Sequence, residues 1–260
     1  MPDAADCQPT LPFGTVSAAT PEIAVVVPVY NEADNILPLA DEVRVALGSV
    51  ALSYELVFVD DASTDQTWSR IQDAHKINQR IRGLRHLKNA GQSAALWTGI
   101  QRTQSPIIAT MDGDLQNDPA DLPTLIRTLE HADFICGVRT KRKDDFLRRI
   151  SSRVARTARK VTLGVDFADT GCAMRVFKRT ALEGVFAFNG LHRFLPIVVH
   201  GGGMIVREVP INHRARVAGI SKYGLWDRLG RGVFDLFAVR WYQKRRVCAA
   251  ECDEFGSHTP

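Results

Sequence analysis

The 260-residue sequence is long enough for one large α/β domain or two small ones, and its 45% hydrophobic content is ordinary for a globular protein. Its net charge is only +4 but is unevenly spread, since residues 139–160 hold ten Lys or Arg against two Asp. A local basic patch of this kind suits phosphates or an anionic membrane surface, and we expect no nucleic-acid partner.

The five cysteines form an odd set without Cys-x-x-Cys spacing, which indicates free thiols in a reducing compartment. Cys248 and Cys252 with His258 could form part of a metal site, although three ligands in a polar tail are weak evidence. No signal peptide is visible at the start. The longest mostly apolar run, residues 195–206, is interrupted by a proline, a histidine and three glycines and is too short to span a bilayer.

The first half of the chain repeats a strand, a polar loop and a helix. Residues 1–21 are rich in Pro, Ala, Ser and Thr and predict a disordered leader. Buried strands are predicted at residues 23–30, 55–60 and 81–87, each followed by residues with helical spacing, which include Ile36, Leu39, Val43 and Leu47, then Trp68 and Ile71, then Leu96 and Ile100. This alternation predicts a mostly parallel sheet.

A fourth strand begins at Ile107 and runs into an acidic segment before Pro119. Asp112 and Asp114 lie two residues apart, so in extended backbone their side chains leave on one face, and Gly113 between them allows close approach to the main chain. Paired carboxylates repel unless a cation lies between them, and Mg²⁺ or Mn²⁺ favours such oxygens together with phosphate. Taken on its own, the pair fits loop caps better than a metal site, because acidic pairs at strand ends are commonly caps.

Four polar segments follow predicted strands and should meet at one edge of the sheet, because ligands of open α/β sheets bind beyond the carboxyl ends of the strands. These segments are Tyr30-Asn31-Glu32, Asp60-Asp61, Lys88-Asn89-Ala90-Gly91 and Asp112-Gly113-Asp114. Their convergence favours a site over independent caps. Asp65 by itself fits a cap of the following helix.

The pattern changes after the amphipathic helix of residues 121–130 and the strand of residues 133–138. Residues 146–163 place apolar side chains on one helical stripe with basic residues around it, which fits either a solvated face packed on the domain or an interfacial helix. Further strands are predicted at residues 173–177 and 208–211, with a helix starting at His192.

The carboxyl-terminal part begins with a polar loop from His213 to Lys222, of the kind that carries function more often than packing. Residues 225–242 are rich in aromatic and apolar side chains and are followed by the basic cluster of residues 244–246. This composition is typical of an interface helix, and a helix packed on the sheet would show the same pattern.

These motifs resemble, in order and spacing, the family 2 glycosyltransferases of the dolichyl-phosphate mannose synthase or polyprenyl-phosphate glycosyltransferase type. The resemblance covers about residues 23–246 and rests on Pro28-Val29-Tyr30-Asn31-Glu32, Val59-Asp60-Asp61-Ala62-Ser63-Thr64-Asp65, Met111-Asp112-Gly113-Asp114-Leu115-Gln116, Asp169-Thr170-Gly171-Cys172 and Arg216-Val217-Ala218-Gly219-Ile220-Ser221-Lys222-Tyr223. Each motif alone is moderately specific, and the five together are strong.

The resemblance implies a GT-A (Rossmann-like) fold over residues 22–246 and inverting transfer of a sugar from GDP-mannose or a UDP-hexose to dolichyl or undecaprenyl phosphate. The residues matched to nucleotide contacts are Pro28, Tyr30, Glu32, Val59, Asp61, Asp112 and Gly113. Asp114 and Gln116, together with Asp112, match the ligands of Mg²⁺ or Mn²⁺. Arg139, Arg216 and Lys222 match the contacts to the diphosphate and the acceptor phosphate.

The resemblance leaves the role of Asp169 open. A phosphate monoester is already ionised near neutral pH and needs little help from a base, so Asp169 is either a base, a loop cap or the partner of a nearby arginine. An enzyme acting on a saccharide or lipid hydroxyl would need a stronger base, Asp169 or His192. A non-catalytic nucleotide-sugar-binding protein is disfavoured by the intact acidic motif, and a dinucleotide oxidoreductase by the absence of a Gly-x-Gly-x-x-Gly turn after the first strand.

Several relatives continue into two membrane-spanning helices, whereas this sequence ends in the polar residues 247–260. We therefore expect a peripheral protein on the cytoplasmic face of a membrane, attached through helices near residues 146–163 and 225–242. A membrane protein partner stays open, as do the sugar and the nucleotide.

Overall fold

The computed structural model describes residues 20–139, 156–214 and 225–245, with the backbone alone for residues 225–233. Within these residues, seven strands form one sheet in the order β3-β2-β1-β4-β6-β5-β7. The strands are β1 Ile23–Val29, β2 Tyr54–Asp60, β3 Ile81–Arg85, β4 Ile107–Thr110, β5 Phe134–Arg139, β6 Arg175–Lys178 and β7 Val206–Ile211. Every neighbouring pair is parallel except those that include β6, which runs antiparallel to β4 and β5.

Helices cover both faces of the sheet. They are α1 Ile36–Leu47, α2 Thr67–Ile77, α3 Gln92–Gln101, α4 Leu122–Thr128, α5 with described residues 156–163, α6 Leu191–Gly201 and α7 Leu225–Arg245. Short 3₁₀ turns flank α4 on both sides, so the helix expected over residues 121–130 is shorter than predicted. Within the described residues, no helix is long and apolar enough to cross a bilayer.

Two apolar clusters pack on opposite faces of the sheet. One joins β1 and β2 to α1, α2 and α4, and the other joins the sheet to α3, α6 and α7. In the second cluster, the rings of Phe134 and Phe177 stack with centroids 4.7 Å apart. Because β1 is buried on both faces, its side chains alternate between the two clusters and fix its register.

The two described cysteines, Cys136 and Cys172, are free and buried beside the β5–β6 pair. Burial raises the pKa of Cys136 to about 12 and that of Cys172 to about 11. The predicted free thiols are confirmed for these two residues. Cys7, Cys248 and Cys252 lie outside the described residues.

Gly99 sets the distance between α3 and the sheet. A Cβ atom at this position would overlap the Val26 side chain and lie 2.9 Å from Cγ2 of Val59. We expect Gly99→Ala to lower the free energy of unfolding by about 1 to 2 kcal/mol in urea titrations, because overpacking outweighs the gain in helix propensity. In the control Gly201→Ala, the added methyl meets only the flexible side chain of Gln243. Equal losses in the two variants would contradict this account of Gly99.

Candidate active site

The carboxylate of Asp61 organises one end of the candidate site, at the carboxyl end of β2. It accepts hydrogen bonds from Nδ1 of His86 at 2.7 Å and from the backbone N–H groups of Ala90 at 2.8 Å and Gly91 at 2.7 Å. Gly91 has a φ of +89°, which a residue with a side chain rarely adopts, so the loop can close on Asp61 only with glycine there. The expected meeting of Asp60-Asp61 with residues 88–91 is confirmed.

The end of β1 is tied to the same loops. Asn31 donates its backbone N–H to Oγ of Ser63 at 2.9 Å and accepts from the backbone N–H of Thr64 at 2.8 Å. Asp65 accepts from the N–H and the hydroxyl of Thr67 at 2.9 and 2.5 Å, which is the capping role the sequence suggested. These contacts fix the loops after β1 and β2 as one unit.

Two further residues matched to nucleotide contacts, Tyr30 and Glu32, follow β1 in this unit, and a third, Pro28, lies within β1. Tyr30 is exposed and Pro28 and Glu32 are half-buried. The side chain of Val59 is fully buried, and its Cγ2 faces Gly99 on α3. Any contact of Val59 with a nucleotide would therefore come from its backbone.

In the acidic segment after β4, residues 111–118, buried and half-buried side chains alternate. β4 ends at Thr110, earlier than the sequence suggested, yet burial still alternates through residue 117 and leaves Asp112, Asp114 and Gln116 half-buried between fully buried neighbours. A Cβ atom on Gly113 would lie 2.6 Å from Cγ1 of Val29, so glycine permits the segment to pass close to β1. Residues 113–115 form a bend and Leu115 has a φ of +60°, so the backbone is not extended here, and the placement of the two aspartates on one face stays a prediction.

This segment fits a divalent ion chemically. Within the described ranges, no cluster of three or more His, Cys, Asp or Glu side chains is arranged for a metal ion, so a ligand set here would combine two carboxylates with the amide of Gln116. All three supply hard oxygen atoms, which suit Mg²⁺ or Mn²⁺. Gln92, at the start of α3, donates from Nε2 to Oδ1 of Asp112 at 2.8 Å, a contact that the sequence did not predict.

Arg139 and Asp169 form a two-pronged ion pair at the carboxyl end of β5. Nε and Nη2 of Arg139 lie 2.6 and 2.8 Å from the two carboxylate oxygens of Asp169. Glu208 on β7 fixes the backbone of the same loop, because it accepts from the N–H groups of Ala168 at 2.8 Å and Asp169 at 3.2 Å. Three roles were left open for Asp169: a base, a loop cap and the partner of an arginine. The geometry supports the third, with Arg139 as the arginine.

Burial alone would lower the pKa of Arg139. The hydrogen bonds and the charge of Asp169 outweigh burial and, with a further contribution from the charge of Asp112, leave this pKa above its ordinary value. The guanidinium is thus held permanently charged beside the acidic segment.

Arg214 fastens the end of β7 to the acidic segment. Its backbone N–H donates to the carbonyl oxygen of Gln116 at 2.9 Å, and its guanidinium pairs with Asp118 at 2.8 Å and Glu42 at 2.7 Å. Arg216 and Lys222 lie outside the described residues, as do residues 146–155 of the helix predicted over residues 146–163.

Comparison with known proteins identifies the family. Residues 24–186 match the family model described as glycosyl transferase family 2. The chain belongs to glycosyl transferase family 2.

Two curated relatives of this glycosyltransferase carry names that include a polyprenyl phosphate. A dodecaprenyl-phosphate galacturonate synthase of Rhizobium johnstonii is 37% identical over 235 residues, which cover 87% of this chain and 68% of the relative. An undecaprenyl-phosphate 4-deoxy-4-formamido-L-arabinose transferase of Pseudomonas fluorescens is 32% identical over 216 residues, 82% of this chain and 63% of the relative. The chain thus spans about two thirds of the length of each.

Solved structures share the fold. A glucosyl-3-phosphoglycerate synthase from Mycobacterium tuberculosis, solved with Mn²⁺ and UDP, aligns with a TM-score of 0.64 at 19% identity over 86% of this chain and 80% of that one. A mannosyltransferase from Pyrobaculum calidifontis, solved with GDP-Man and Mn²⁺, aligns with a TM-score of 0.61 at 23% identity over 89% of this chain and 66% of that one. The expected GT-A fold, one α/β domain around a mostly parallel sheet, is confirmed.

His192 of the glycosyltransferase is half-buried at the start of α6. Its Nδ1 lies 2.6 Å from Oγ of Ser93. Burial, with the charges of Arg193 and Arg175, lowers the pKa of His192 to about 3. The imidazole is therefore neutral at neutral pH and hydrogen-bonded within the protein.

This low pKa predicts a specific loss of stability in acid. Between the ordinary pKa of 6.5 and about 3, the unfolded chain binds a proton at His192 that the folded protein does not, so the stability present above pH 6.5 declines as the pH falls through this window. Between about pH 7.5 and about pH 4.5, we expect wild type to lose about 2 kcal/mol more unfolding free energy than His192→Asn, measured by urea titration. The asparagine keeps an acceptor for Ser93 but does not titrate, so identical losses would contradict the prediction.

Proposed function

We propose that this chain is a metal-dependent glycosyltransferase that moves a sugar, with inversion, from a nucleotide diphosphate sugar to a polyprenyl phosphate at the cytoplasmic face of a membrane. The observation that carries this proposal is the placement of the acidic segment beside the charged Arg139 at one edge of the sheet. The names of the two relatives support the acceptor class. The sugar and the base of the donor are left open.

The donor half of the site comprises the loops after β1, β2 and β4. Asp114 and Gln116, with Asp112, would hold Mg²⁺ or Mn²⁺, which when bound supplies positive charge to the leaving diphosphate. The remaining matched positions, assigned to the nucleotide, are Pro28, Tyr30, Glu32, Val59, Asp61, Asp112 and Gly113. Asp61 acts by holding the loop of residues 88–91 against the end of β2.

Transfer requires one bond to form as another breaks. An oxygen of the acceptor phosphate attacks the anomeric carbon from the side opposite the diphosphate, and the electron pair of the breaking C–O bond leaves with the nucleoside diphosphate. Arg139, Arg216 and Lys222 stabilise the phosphate charges. Nε and Nη2 of Arg139 face Asp169, so we assign its Nη1 to a phosphate oxygen. Asp169 positions Arg139, and the ionised acceptor needs no strong base.

The proposal is tested by product formation. Purified protein with undecaprenyl phosphate in detergent and a panel of UDP- and GDP-sugars should release nucleoside diphosphate and form a lipid-linked sugar, and excess chelator should abolish both. We expect Asp114→Asn to lower turnover by about 100-fold while unfolding is unchanged, because the lost ligand lies at the rim and not in the core.

The matched control for this variant is Asp73→Asn, which removes only a surface ion pair with Lys76 and should leave turnover unchanged. Full transfer in excess chelator would overturn the metal dependence. Equal or faster transfer to a neutral saccharide would overturn the acceptor class.

The membrane surface proposed for this enzyme includes α7 and α5. Phe234, Phe237 and Trp241 lie on one face of α7 and are 75%, 63% and 66% exposed, while Leu236 and Val239 are buried on the opposite face. On α5, Val161 is 78% exposed. Arg240 of α7 donates to the carbonyl oxygen of Thr162 at 2.6 Å, so the two helices adjoin.

The charge on α5 is partly neutralised. Arg156 and Lys160 both pair with Asp166, at 2.6 and 3.0 Å. These two cations therefore contribute less to attraction by anionic lipid than the sequence count suggests. We assign the larger share of membrane attachment to the aromatic face of α7.

Liposome flotation tests this assignment. The protein should bind liposomes that contain anionic lipid and be released only partly by high salt, because screening removes the electrostatic attraction but not apolar burial. The triple substitution Phe234→Ser, Phe237→Ser and Trp241→Ser should abolish binding at high salt. The control Ile77→Ser changes an exposed apolar residue of α2 and should bind as wild type does. A wild type that does not bind at low salt would contradict the proposed surface.

A further inference from the structure

A part-buried polar contact joins the first turns of α3 and α6. Ser93, the second residue of α3, and His192, the second residue of α6, are 99 positions apart in sequence, and their side chains lie 2.6 Å apart. Ser93 is only 7% exposed. Most of the surrounding contacts between these helices and the sheet are apolar. A polar pair at this place is not needed for burial, since an apolar pair of similar volume would pack as well.

A third group also contacts the Ser93 hydroxyl. The backbone N–H of Gly190 donates to Oγ of Ser93 at 2.9 Å. The hydroxyl of Ser93 keeps one proton to donate, and we assign it to Nδ1 of His192, which then accepts as the neutral imidazole with its proton on Nε2. The low pKa of His192 keeps this form at neutral pH.

On the α3 side, the neighbour of Ser93 contacts the acidic segment. The residue before Ser93 is Gln92, which donates from Nε2 to Asp112 at 2.8 Å. The first turn of α3 therefore supplies one of the contacts that hold the Asp112 carboxylate.

On the α6 side, Arg175 connects His192 to the loop that carries Asp169. The carbonyl oxygen of His192 accepts from Nη2 of Arg175 at 2.6 Å, and the same nitrogen donates to the carbonyl oxygen of Thr170 at 3.0 Å. Arg175 is only 2% exposed. Thr170 directly follows Asp169, which holds Arg139.

We propose that Ser93 and His192 are positioning residues for sugar transfer. Their hydrogen bond fixes the distance and orientation of the Gln92–Asp112 contact relative to the Arg139–Asp169 pair. The proposal rests on the proposed function, because these two pairs are assigned to the donor and to the phosphates. Neither residue touches a substrate. They act through their neighbours, and a displacement of about 1 Å at the reacting groups is enough to lower turnover by about 100-fold.

The test uses the shape of the replacement side chain. Asparagine at position 192 places its Oδ1 close to the position of Nδ1 and can accept from Ser93, whereas glutamine extends its amide toward the position of Nε2. Ser93→Ala removes the donor. We expect His192→Asn to keep kcat within about threefold of wild type, and His192→Gln and Ser93→Ala to lower kcat by about 10-fold to 100-fold. The KM for the donor should change by less than about threefold.

The double variant Ser93→Ala with His192→Gln should be no slower than the worse single variant, because both changes break one contact. Each variant is assayed at a temperature where its unfolding curve shows a fully folded protein, so that lost stability is separated from lost turnover. Unchanged kcat in Ser93→Ala and His192→Gln, equal losses in His192→Asn and His192→Gln, or additive losses in the double variant would each overturn the inference. A wild type that transfers no sugar to a polyprenyl phosphate would instead reject the proposed function, and the positioning role with it.

Discussion

The candidate site depends on the direction of one strand. β6 runs antiparallel between β4 and β5, so the chain enters β6 at the edge where β4 and β5 end. The loop before β6 therefore brings Asp169 to Arg139 at the end of β5 and close to the acidic segment after β4. A parallel strand at this position would begin at the opposite edge of the sheet, and its preceding loop would lie far from the site.

Carboxylates and a guanidinium lie together at this edge. Hydrogen bonds from the backbone and ion pairs between the side chains hold them in place. Asp61 is held by backbone N–H groups, and Asp169 by Arg139 and by Glu208 through the backbone of its loop. Their positions are therefore determined before any substrate binds. Such preorganisation reduces the rearrangement that charge development in a transition state would otherwise require.

The sequence predicted most of what depends on local pattern. The strands, the helices and the meeting of polar loops at one edge followed from hydrophobic periodicity and from the geometry of parallel sheets. The orientation of Val59 was not predicted, because a strand buried on both faces has no alternating pattern to show which side chain faces which layer. Contacts such as Ser93 with His192 join residues 99 positions apart and leave no local signal in one sequence.

Burial of the two thiols has a consequence for measuring motion. Alkylating reagents react with the nucleophilic thiolate, whereas Cys136 and Cys172 are both shielded from solvent and held in the protonated form by their raised pKa. Either thiol can therefore be alkylated only when the β5–β6 region opens. The rate of labelling at these two positions, resolved by mass spectrometry, would report the opening of the strand pair that holds Arg139 and Asp169 in place, without any engineered probe.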